Sequence, residues 1–315
     1  MIEWSAESVS ISEACVLTIG VFDGLHLGHQ ALIREVVNRA SLLRLPAACI
    51  TFFPSPEAVL GQAEVKYLLL PDERTRLMFD MGVQLVIVTK FDARLAGMSA
   101  AGFMALVRDA LHPVEVWVGE DFALGRNREG NADFLNRLGR DMGYQLRVVP
   151  RHKIADKAVS SSWVRALIGR GDVGEASQLL GRPYAITGRV VKGFGRGRAL
   201  GFPTANLILP SDKQLPADGV YAAVVDTGTG RWPAAVSIGV RPTFAAGERA
   251  VEAHLLGFDG DLYGSQLTVE FITRLRGERR FASVAELREQ IRADVAIIAA
   301  IFAEAVDGGA SQHGI

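Results

Sequence analysis

The first half of the chain alternates short apolar runs with stretches of helical spacing, and this alternation limits its possible folds more than any other feature. The apolar runs, which are typical of strands, lie at 14–20, 47–52, 85–89, 114–118 and 146–149. The helical stretches between them lie at 30–45, 71–81 and 100–111. Strands this continuously apolar are typical of parallel sheets that helices cover on both faces. We therefore predict an α/β domain built on a parallel sheet.

The pattern changes near Gly181-Arg182-Pro183. From there, short β-prone runs are separated by turn residues, and the runs lie at 185–191, 204–208, 220–225, 234–238, 251–256 and 267–271. This spacing predicts a small antiparallel barrel. A terminal helix follows, opened by the capping box Ser283-Val284-Ala285-Glu286. We expect one domain at 1–181, a second at 182–307 and a flexible tail at 308–315.

Composition excludes several classes of protein. The chain has 315 residues, 49% hydrophobic and 22% charged, so it can build cores for about two domains and is not a disordered chain. Its net charge of −1 creates no global field for nucleic acid or acidic membranes, so we expect neither as a partner. The apolar run 295–303 is far shorter than the roughly 20 residues of a membrane span, so we expect no span there. We also expect no secretory signal, because the first residues show neither a basic nor an apolar signal region. We expect a cytoplasmic protein in which Cys15 and Cys49 are reduced core thiols.

The segment Gly20–His29 joins the first predicted strand to the first predicted helix and reads Gly-Val-Phe-Asp-Gly-Leu-His-Leu-Gly-His. His26 and His29 lie on one side of the turn, and Gly28 between them lets a phosphate approach the backbone. The helix N-terminus adds free N–H groups, and imidazoles can donate hydrogen bonds to phosphate oxygens. The bland alternative is a Gly-rich turn with incidental histidines. No P-loop run, G-x-x-x-x-G-K-[ST], occurs in the chain.

A second polar segment, Val159–Arg165, places three serines and an arginine at the start of a predicted helix. Hydroxyls at a helix N-terminus both cap the helix and bind phosphate, and Arg165 lies one turn further along. An ordinary N-cap with a solvated arginine is the alternative.

Gly20–His29 resembles the phosphate-binding signature of HIGH-type nucleotidyltransferases, and more narrowly of the adenylyltransferase half of bacterial bifunctional riboflavin kinase/FMN adenylyltransferases, or FAD synthetases. Val159–Arg165 resembles the second signature of that family. The resemblance implies a Rossmann-like domain that transfers AMP from ATP to FMN, giving FAD and pyrophosphate. It further implies catalytic roles for His26, His29 and Arg165. The implied ATP contacts are Gly20, Phe22, Asp23, Gly24, His26, Gly28, His29, Ser160, Ser161, Ser162 and Arg165.

The loop Trp117–Phe122 follows a predicted strand and resembles the flavin-side loop of the same family. The resemblance implies flavin contacts from Phe53, Gly119, Asp121 and Phe122. The chain departs from the family pattern by carrying Ser55 in place of His, Ala123 in place of Arg and Asn131 in place of Asp. These departures motivate an alternative function, in which the chain is a riboflavin kinase. Its N-terminal domain would then be a weak or inactive adenylyltransferase that acts as a regulatory module and binds flavin or nucleotide.

The run 191–206 is the most informative part of the second half. Its glycines, together with Arg196 and Arg198, form a predicted loop whose N–H groups can surround phosphates. Thr204 and Asn206 share a strand face, and their oxygens suit Mg²⁺. A flexible Arg-Gly loop that touches RNA is the alternative. We therefore expect phosphate and ATP contacts from this run, at Gly193, Gly195, Arg196, Gly197, Arg198, Gly201, Pro203, Thr204 and Asn206.

The segment Gly201-Phe202-Pro203-Thr204-Ala205-Asn206 closely resembles the riboflavin kinase signature, and further kinase-module segments follow it in order at 216–221, 237–244, 251–254 and 262–264. The resemblance implies a riboflavin kinase-like barrel that uses Mg²⁺ and ATP to phosphorylate riboflavin to FMN, leaving ADP. It implies that Glu252 is the general base, with Glu270 as the rival carboxylate. Arg274 or Arg276 is then expected near the flavin or its phosphate. We expect a monomer or a weak homo-oligomer.

Overall fold

The computed structural model describes residues 2–4, 13–61, 64–193, 196–240 and 249–309. Contacts divide the chain into two compact units, Met1–Trp163 and Val164–Ile315. Within the described ranges, no helix combines the length and the apolar character that crossing a bilayer requires.

The first unit contains a six-stranded sheet in which every pair of neighbours is parallel, as predicted. Its strands are β1 (Ile2–Trp4), β2 (Cys15–Ile19), β3 (Ala47–Phe52), β4 (Leu85–Thr89), β5 (Pro113–Gly119) and β6 (Gln145–Val149), in the order β1-β4-β3-β2-β5-β6. The analysis of apolar runs missed β1 because three residues carry no readable period.

Helices cover this sheet on both faces. The helices of this unit are α1 (Leu27–Leu43), α2 (Pro56–Leu60), α3 (Pro71–Asp80), α4 (Ala93–Ala96), α5 (Ala100–Leu111) and α6 (Ala132–Met142), with a small hairpin, β7 (Lys153–Ile154) and β8 (Lys157–Ala158), beyond β6. Residues of α1 and α3 pack on one face of the sheet, and residues of α5 and α6 pack on the other. Cys15 and Cys49 lie buried in β2 and β3 as free thiols, and burial raises the pKa of Cys15 to about 12.

The order of the strands creates a switch point beside β2. The chain adds β3 and β4 on one side of β2 and then crosses to place β5 and β6 on the other side. Ligands of open α/β sheets bind outside the carboxyl ends of the strands at such a point. The segments that follow β2, β3 and β5 therefore frame the expected site of the first unit.

The second unit is an antiparallel barrel that closes on itself, again as predicted. Its strands are β9 (Tyr184–Val191), β10 (Ala205–Ile208), β11 (Gly219–Asp226), β12 (Arg231–Val240), β13 (Arg249–Leu255) and β14 (Gln266–Arg276), in the order β10-β13-β12-β11-β14-β9. Side chains alternate along each strand: Val251, Ala253 and Leu255 fill the interior, while Glu252 faces outward and is half-buried.

Helices α7 (Ser161–Arg170), α8 (Val173–Leu180), α9 (Arg196–Leu200) and α10 (Val284–Gly309) complete the chain. The Ser283 half of the predicted capping box is present, since Ser283 Oγ accepts from Glu286 N at 3.1 Å. The Glu286 carboxylate accepts from Ala282 N at 3.0 Å. The helix continues through Gly309, two residues into the segment predicted as a tail, and 310–315 lie outside the described residues. The predicted domain boundary was 181/182, whereas the compact units divide earlier because α8 packs on β9 and β14.

Candidate active sites

The turn between β2 and α1 has an unusual backbone. Phe22 and Leu25 adopt left-handed conformations with φ of 53° and 42°, and Gly24 lies at φ 80°. For residues with a side chain, such conformations cost about 1–3 kcal/mol each and persist only where the surroundings enforce them. A strained turn at the carboxyl end of the central strand is typical of a functional site.

The two histidines of this turn stack on one another, with ring centroids 3.6 Å apart and planes 17° apart. His26 caps α1, because its Nδ1 accepts from His29 N at 3.4 Å. In a neutral imidazole, acceptance at Nδ1 leaves the ring hydrogen on Nε2. Burial, followed by the charges of His26 and Arg74, lowers the pKa of His29 well below its usual value, so this imidazole is neutral near pH 7.

His29 Nδ1 is buried and has no hydrogen-bond partner among the described residues. A buried polar atom without a partner costs about 1–3 kcal/mol, and such atoms in native structures call for an explanation. A bound anion that meets the two rings would supply the missing partner.

Asp23 is buried, and its carboxylate accepts hydrogen bonds from Leu68 N and Leu69 N, each at 3.0 Å from Oδ1. The side chain predicted to contact ATP therefore anchors the segment before α3 to the turn. The sequence did not predict this anchoring role of Asp23, because Leu68 lies 45 positions further along the chain.

The serine segment at the start of α7 meets the histidine turn. Ser161 Oγ donates to the carbonyl of Asp23 at 2.8 Å, and Ser160 Oγ caps the helix by accepting from Trp163 N at 3.3 Å. The structure thus brings together the two segments that the sequence singled out separately. Ser162 is exposed beside them, while Arg165 lies one turn further along α7 in the second compact unit.

The predicted flavin-side residues follow β3 and β5, which flank β2. The ring of Phe53 lies 5.0 Å from that of Tyr67. Gly119 ends β5, and its carbonyl accepts from Phe122 N at 3.1 Å. Asp121 is exposed and pairs with Arg151 at 3.4 Å. All four predicted residues therefore belong to segments at the carboxyl edge of the sheet.

Two of the three departures from the family pattern have a structural task. Ser55 caps α2 by accepting from Ala58 N at 3.2 Å, and Asn131 caps α6 by accepting from Phe134 N at 3.0 Å. Asn and Asp are equally good N-caps, so Asn131 preserves the local structure that an Asp would give. Nothing in the structure explains Ala123.

Sequence reasoning missed Arg74, whose side chain is 0% exposed on α3. Its guanidinium donates to the carbonyl of Val21 and, at 3.2 Å, to the carbonyl of Phe52. The helical spacing of the sequence could have indicated that Arg74 is buried. Arg74 precedes the core residue Met78 by four positions and so shares the buried face of the helix.

The predicted kinase residues converge on the outer surface of the barrel. Thr204 Oγ1 donates to Glu252 Oε2 at 3.3 Å, and Asn206 on β10 stands opposite Glu252 on β13 in the strand register. His254, two residues along β13, hydrogen-bonds through Nδ1 to the carbonyl of Pro203 at 2.8 Å. A hydroxyl, an amide and a carboxylate therefore meet at one place.

The rival carboxylate lies elsewhere on the barrel. Glu270 on β14 pairs with Arg231 at 2.5 Å, and β14 is not a neighbour of β10 or β13. Arg276, one of the two arginines of which one is expected near the flavin or its phosphate, forms a bidentate pair with the buried Asp294 of α10, at 2.7 Å for the closer contact. Arg274 donates to the carbonyl of Asp218 at 2.6 Å.

The glycine-rich run is not entirely a loop, because Arg196–Leu200 form the short helix α9, which Gly201 ends at φ 88°. Two glycines of the run, Gly193 and Gly197, stand where a side chain would not fit. A side chain at Gly193 would collide with the Asn206 amide, and one at Gly197 would lie 2.5 Å from the carbonyl oxygen of Phe202. Arg198 is exposed on α9, and Gly195 lies outside the described residues.

A cleft of about 470 Å³ lies beside this run, lined by residues 189–192 of the β9 end, Ile208, Tyr263 and Gly264. It opens beside the strand that leads into the glycine-rich run, within reach of the surface that carries Asn206.

Family models and relatives agree with this division of the chain. The model described as FAD synthetase matches residues 8–163, and the model described as riboflavin kinase matches residues 180–302. A relative from Pseudomonas fluorescens, named bifunctional riboflavin kinase/FMN adenylyltransferase, is 39% identical over 291 residues, which are 92% of this chain and 93% of that one. A relative of the same name from Bacillus subtilis is 34% identical and covers 89% of this chain and 90% of its own.

A crystal structure from Streptococcus pneumoniae, described as a macrolide-efflux protein, matches with a TM-score of 0.86 and 31% identity, over 93% of this chain and 96% of that one. That description concerns the Streptococcus protein, whereas both family models and the full-length relatives name flavin-cofactor enzymes. The chain belongs to the family of bifunctional riboflavin kinase/FMN adenylyltransferases, with an FAD synthetase domain followed by a riboflavin kinase domain.

Proposed function

We propose that each reaction of the family takes place at one of the two sites described above: FMN adenylylation at the stacked histidines and riboflavin phosphorylation at Thr204, Asn206 and Glu252. The observation that carries this division is that each set of residues converges within its own compact unit. The domain boundary then lies between 163 and 182.

In the kinase step, Glu252 accepts the proton of the riboflavin 5′-hydroxyl as that oxygen attacks the γ-phosphorus of ATP. The bond between the γ-phosphorus and the β–γ bridging oxygen breaks, and ADP leaves. Thr204 orients the carboxylate through its hydrogen bond at 3.3 Å. The cleft beside Tyr263 offers space for the nucleotide, with its phosphates toward the glycine-rich run.

The residues at this site fit Mg²⁺. The side chains that meet there offer a hydroxyl, an amide and a carboxylate oxygen, and Mg²⁺ prefers oxygen ligands while keeping waters and nucleotide phosphates in its shell. We assign Thr204 and Asn206 as the residues that hold it. A bound Mg²⁺ would neutralise phosphate charge during transfer. The described residues contain no cluster of three or more His, Cys, Asp or Glu side chains suited to a metal. Waters and nucleotide phosphates would supply the remaining oxygens of a bound Mg²⁺.

In the adenylylation step, a phosphate oxygen of FMN attacks the α-phosphorus of ATP, and the bond to the bridging oxygen of pyrophosphate breaks. FMN is already an ionised nucleophile, so no protein nucleophile is needed and positioning carries the catalysis. His26 and His29 donate hydrogen bonds to the phosphate oxygens as charge builds on them. The pKa of His29, lowered by burial, favours a neutral donor in this role. The catalytic and ATP-binding role of Arg165 stays a prediction.

The comparisons do not favour the alternative in which the first unit is an inactive regulatory module. We further propose that the protein works in the cytoplasm, where ATP is available and buried thiols stay reduced. Two further expectations stay predictions: that the protein does not bind nucleic acid, and that it is a monomer or a weak homo-oligomer.

The time course of flavins formed from riboflavin, ATP and Mg²⁺ tests the proposed function. We expect chromatography to show FMN first and FAD later, with one ADP for each riboflavin phosphorylated and one pyrophosphate for each FAD formed. Accumulation of FMN without FAD would instead support the regulatory alternative.

Thr204→Val tests the metal assignment, because it keeps the shape of the side chain and removes the hydroxyl. We expect weaker riboflavin phosphorylation and a higher Mg²⁺ concentration for half-maximal rate, since a hard oxygen ligand is lost. Titration of the kinase rate with Mg²⁺ measures both. Thr187→Val, which removes a hydroxyl on β9 bonded to Thr268 at 3.1 Å, is the control. An unchanged Mg²⁺ dependence in Thr204→Val would contradict the assignment of Thr204 as a metal ligand.

A further inference from the structure

Arg74 is a buried charge that no step described above uses. Its side chain is fully buried on α3, and its Nε has no hydrogen-bond partner among the described residues. Taking a charged group out of water costs several kcal/mol unless it is paired and hydrogen-bonded. A role in positioning other groups would account for a guanidinium that is buried at this cost in free energy.

The two carbonyls that Arg74 holds belong to different functional segments. Val21 lies in the turn that carries the stacked histidines, and Phe52 is the last residue of β3, directly before the flavin-side residue Phe53. The carbonyl of Val21 also accepts from Thr51 Oγ1 at 2.9 Å. One guanidinium therefore bridges the ATP side and the acceptor side of the site.

The turn needs such a support. Its left-handed residues Phe22 and Leu25 are strained, and strain of this kind persists only where the surrounding contacts outweigh it. Asp23 anchors the middle of the turn to Leu68 and Leu69. Arg74 anchors its beginning. The rigid fork of an arginine suits two carbonyls better than the single ammonium of a lysine.

Electrostatics agree with this placement. The Asp23 carboxylate raises the pKa of Arg74 and so opposes the lowering caused by burial, and an arginine side chain stays protonated in proteins. The positive charge of Arg74 contributes to the lowered pKa of His29.

We propose that Arg74 is a positioning residue for adenylyl transfer, whose guanidinium holds the histidine turn and the flavin-side segment in the mutual register that the reaction needs. The inference rests on the proposed function of the first unit. It assigns Arg74 no contact with substrate: the residue acts through Val21 and Phe52.

The test compares Arg74→Met and Arg74→Lys in the full-length protein, with Arg76→Gln as the control. Arg76 is exposed on the same helix and takes no part in the site. Initial rates of FAD formation are measured against ATP and against FMN, together with riboflavin phosphorylation and amide hydrogen exchange of peptides that cover 20–29 and 52–56.

We expect Arg74→Met to raise KM for both ATP and FMN and to lower kcat/KM by about 10²-fold, the loss that a displacement near 1 Å can cause. Exchange in 20–29 and in 52–56 should rise together. Arg74→Lys should recover part of the loss because it restores a donor and the charge. Arg76→Gln and riboflavin phosphorylation should stay at wild-type values.

FAD formation within threefold of wild type in Arg74→Met would overturn the proposal. A lower melting temperature with unchanged kcat and KM would also overturn it, since that pattern marks a residue that serves stability alone. If Arg74→Met raises amide exchange throughout the first unit, the test rests on Arg74→Lys. Raised KM values in Arg74→Lys, with faster exchange only in 20–29 and 52–56, would support the proposal. Wild-type kinetics in Arg74→Lys would overturn it. Wild-type protein that forms no FAD would instead refute the proposed function.

Discussion

Glu252→Gln should lower kcat for riboflavin phosphorylation by about 10²–10⁴-fold, the usual contribution of a general base. The substitution keeps the size of the side chain and an oxygen that can accept from Thr204, so the contact at 3.3 Å can persist. It removes the ability to take the proton of the 5′-hydroxyl. Because a base acts on the transition state, affinity for flavin and nucleotide should change much less than kcat.

FAD formation from supplied FMN should survive in Glu252→Gln, because the acceptor of that step is already an ionised phosphate and Glu252 belongs to the other compact unit. Steady-state rates of the two reactions, measured on one preparation, check the separation.

Glu270→Gln is the matched control for this prediction. Glu270 is also an outward-facing strand carboxylate, yet its partner is Arg231, a pair with one largely exposed member. Such surface pairs contribute about 0–1 kcal/mol to stability, so the kinase rate should barely change. A severe loss in Glu270→Gln, together with near-normal turnover in Glu252→Gln, would reverse the two roles and contradict the assignment drawn from the family resemblance.

The fold was largely predictable because both units follow simple periodicities. The strands buried on both faces, such as Cys15–Ile19, are continuous apolar runs. The strand that carries Glu252 alternates between buried and half-buried positions, as a barrel strand must. Both histidines were predicted as one group because they share a turn only a few residues long.

Contacts distant along the chain could not be predicted in the same way. The bond between Thr204 and Glu252 joins residues 48 positions apart, and its existence depends on the register of β10 against β13. The hydrogen bond from Arg74 to the carbonyl of Val21 joins residues 53 positions apart. Periodicity places each partner on a face or in a turn, but strand order and register decide which partners meet.

Local strain was equally invisible in the sequence. Phe22 and Leu25 belong to residue types that avoid positive φ, so no propensity predicts their left-handed conformations. They adopt them because the tertiary contacts of the turn, from Asp23 to Leu68 and from Ser161 to Asp23, outweigh the local preference. The residues that we propose for the chemistry were therefore easier to predict from the sequence than the residues that hold the turn in place.

His26→Asn should lower the rate of FAD formation by about 10²–10³-fold, the loss typical of removing one preorganised donor to developing charge. Asparagine is a strong N-cap, so it can replace the acceptor that His26 Nδ1 offers to His29 N and can keep α1 intact. It cannot replace the imidazole Nε2–H or the ring that stacks 3.6 Å from His29. The variant therefore separates the capping role of His26 from its proposed role at the phosphates.

Adenylylation rates with FMN and ATP, thermal unfolding and riboflavin phosphorylation measure this prediction together. His26→Ala, which removes the cap as well, should lose a further ~1 kcal/mol of stability with a similar loss of rate. His112→Asn is the control, since His112 ends α5 just before the start of β5, at the opposite edge of the sheet, in a left-handed conformation that asparagine tolerates. Near-normal FAD formation in His26→Asn would show that His26 serves only as a helix cap, and the phosphate contacts would then have to come from His29 and the backbone of the turn. Equal loss of both activities in a folded variant would contradict the assignment of the two reactions to separate units.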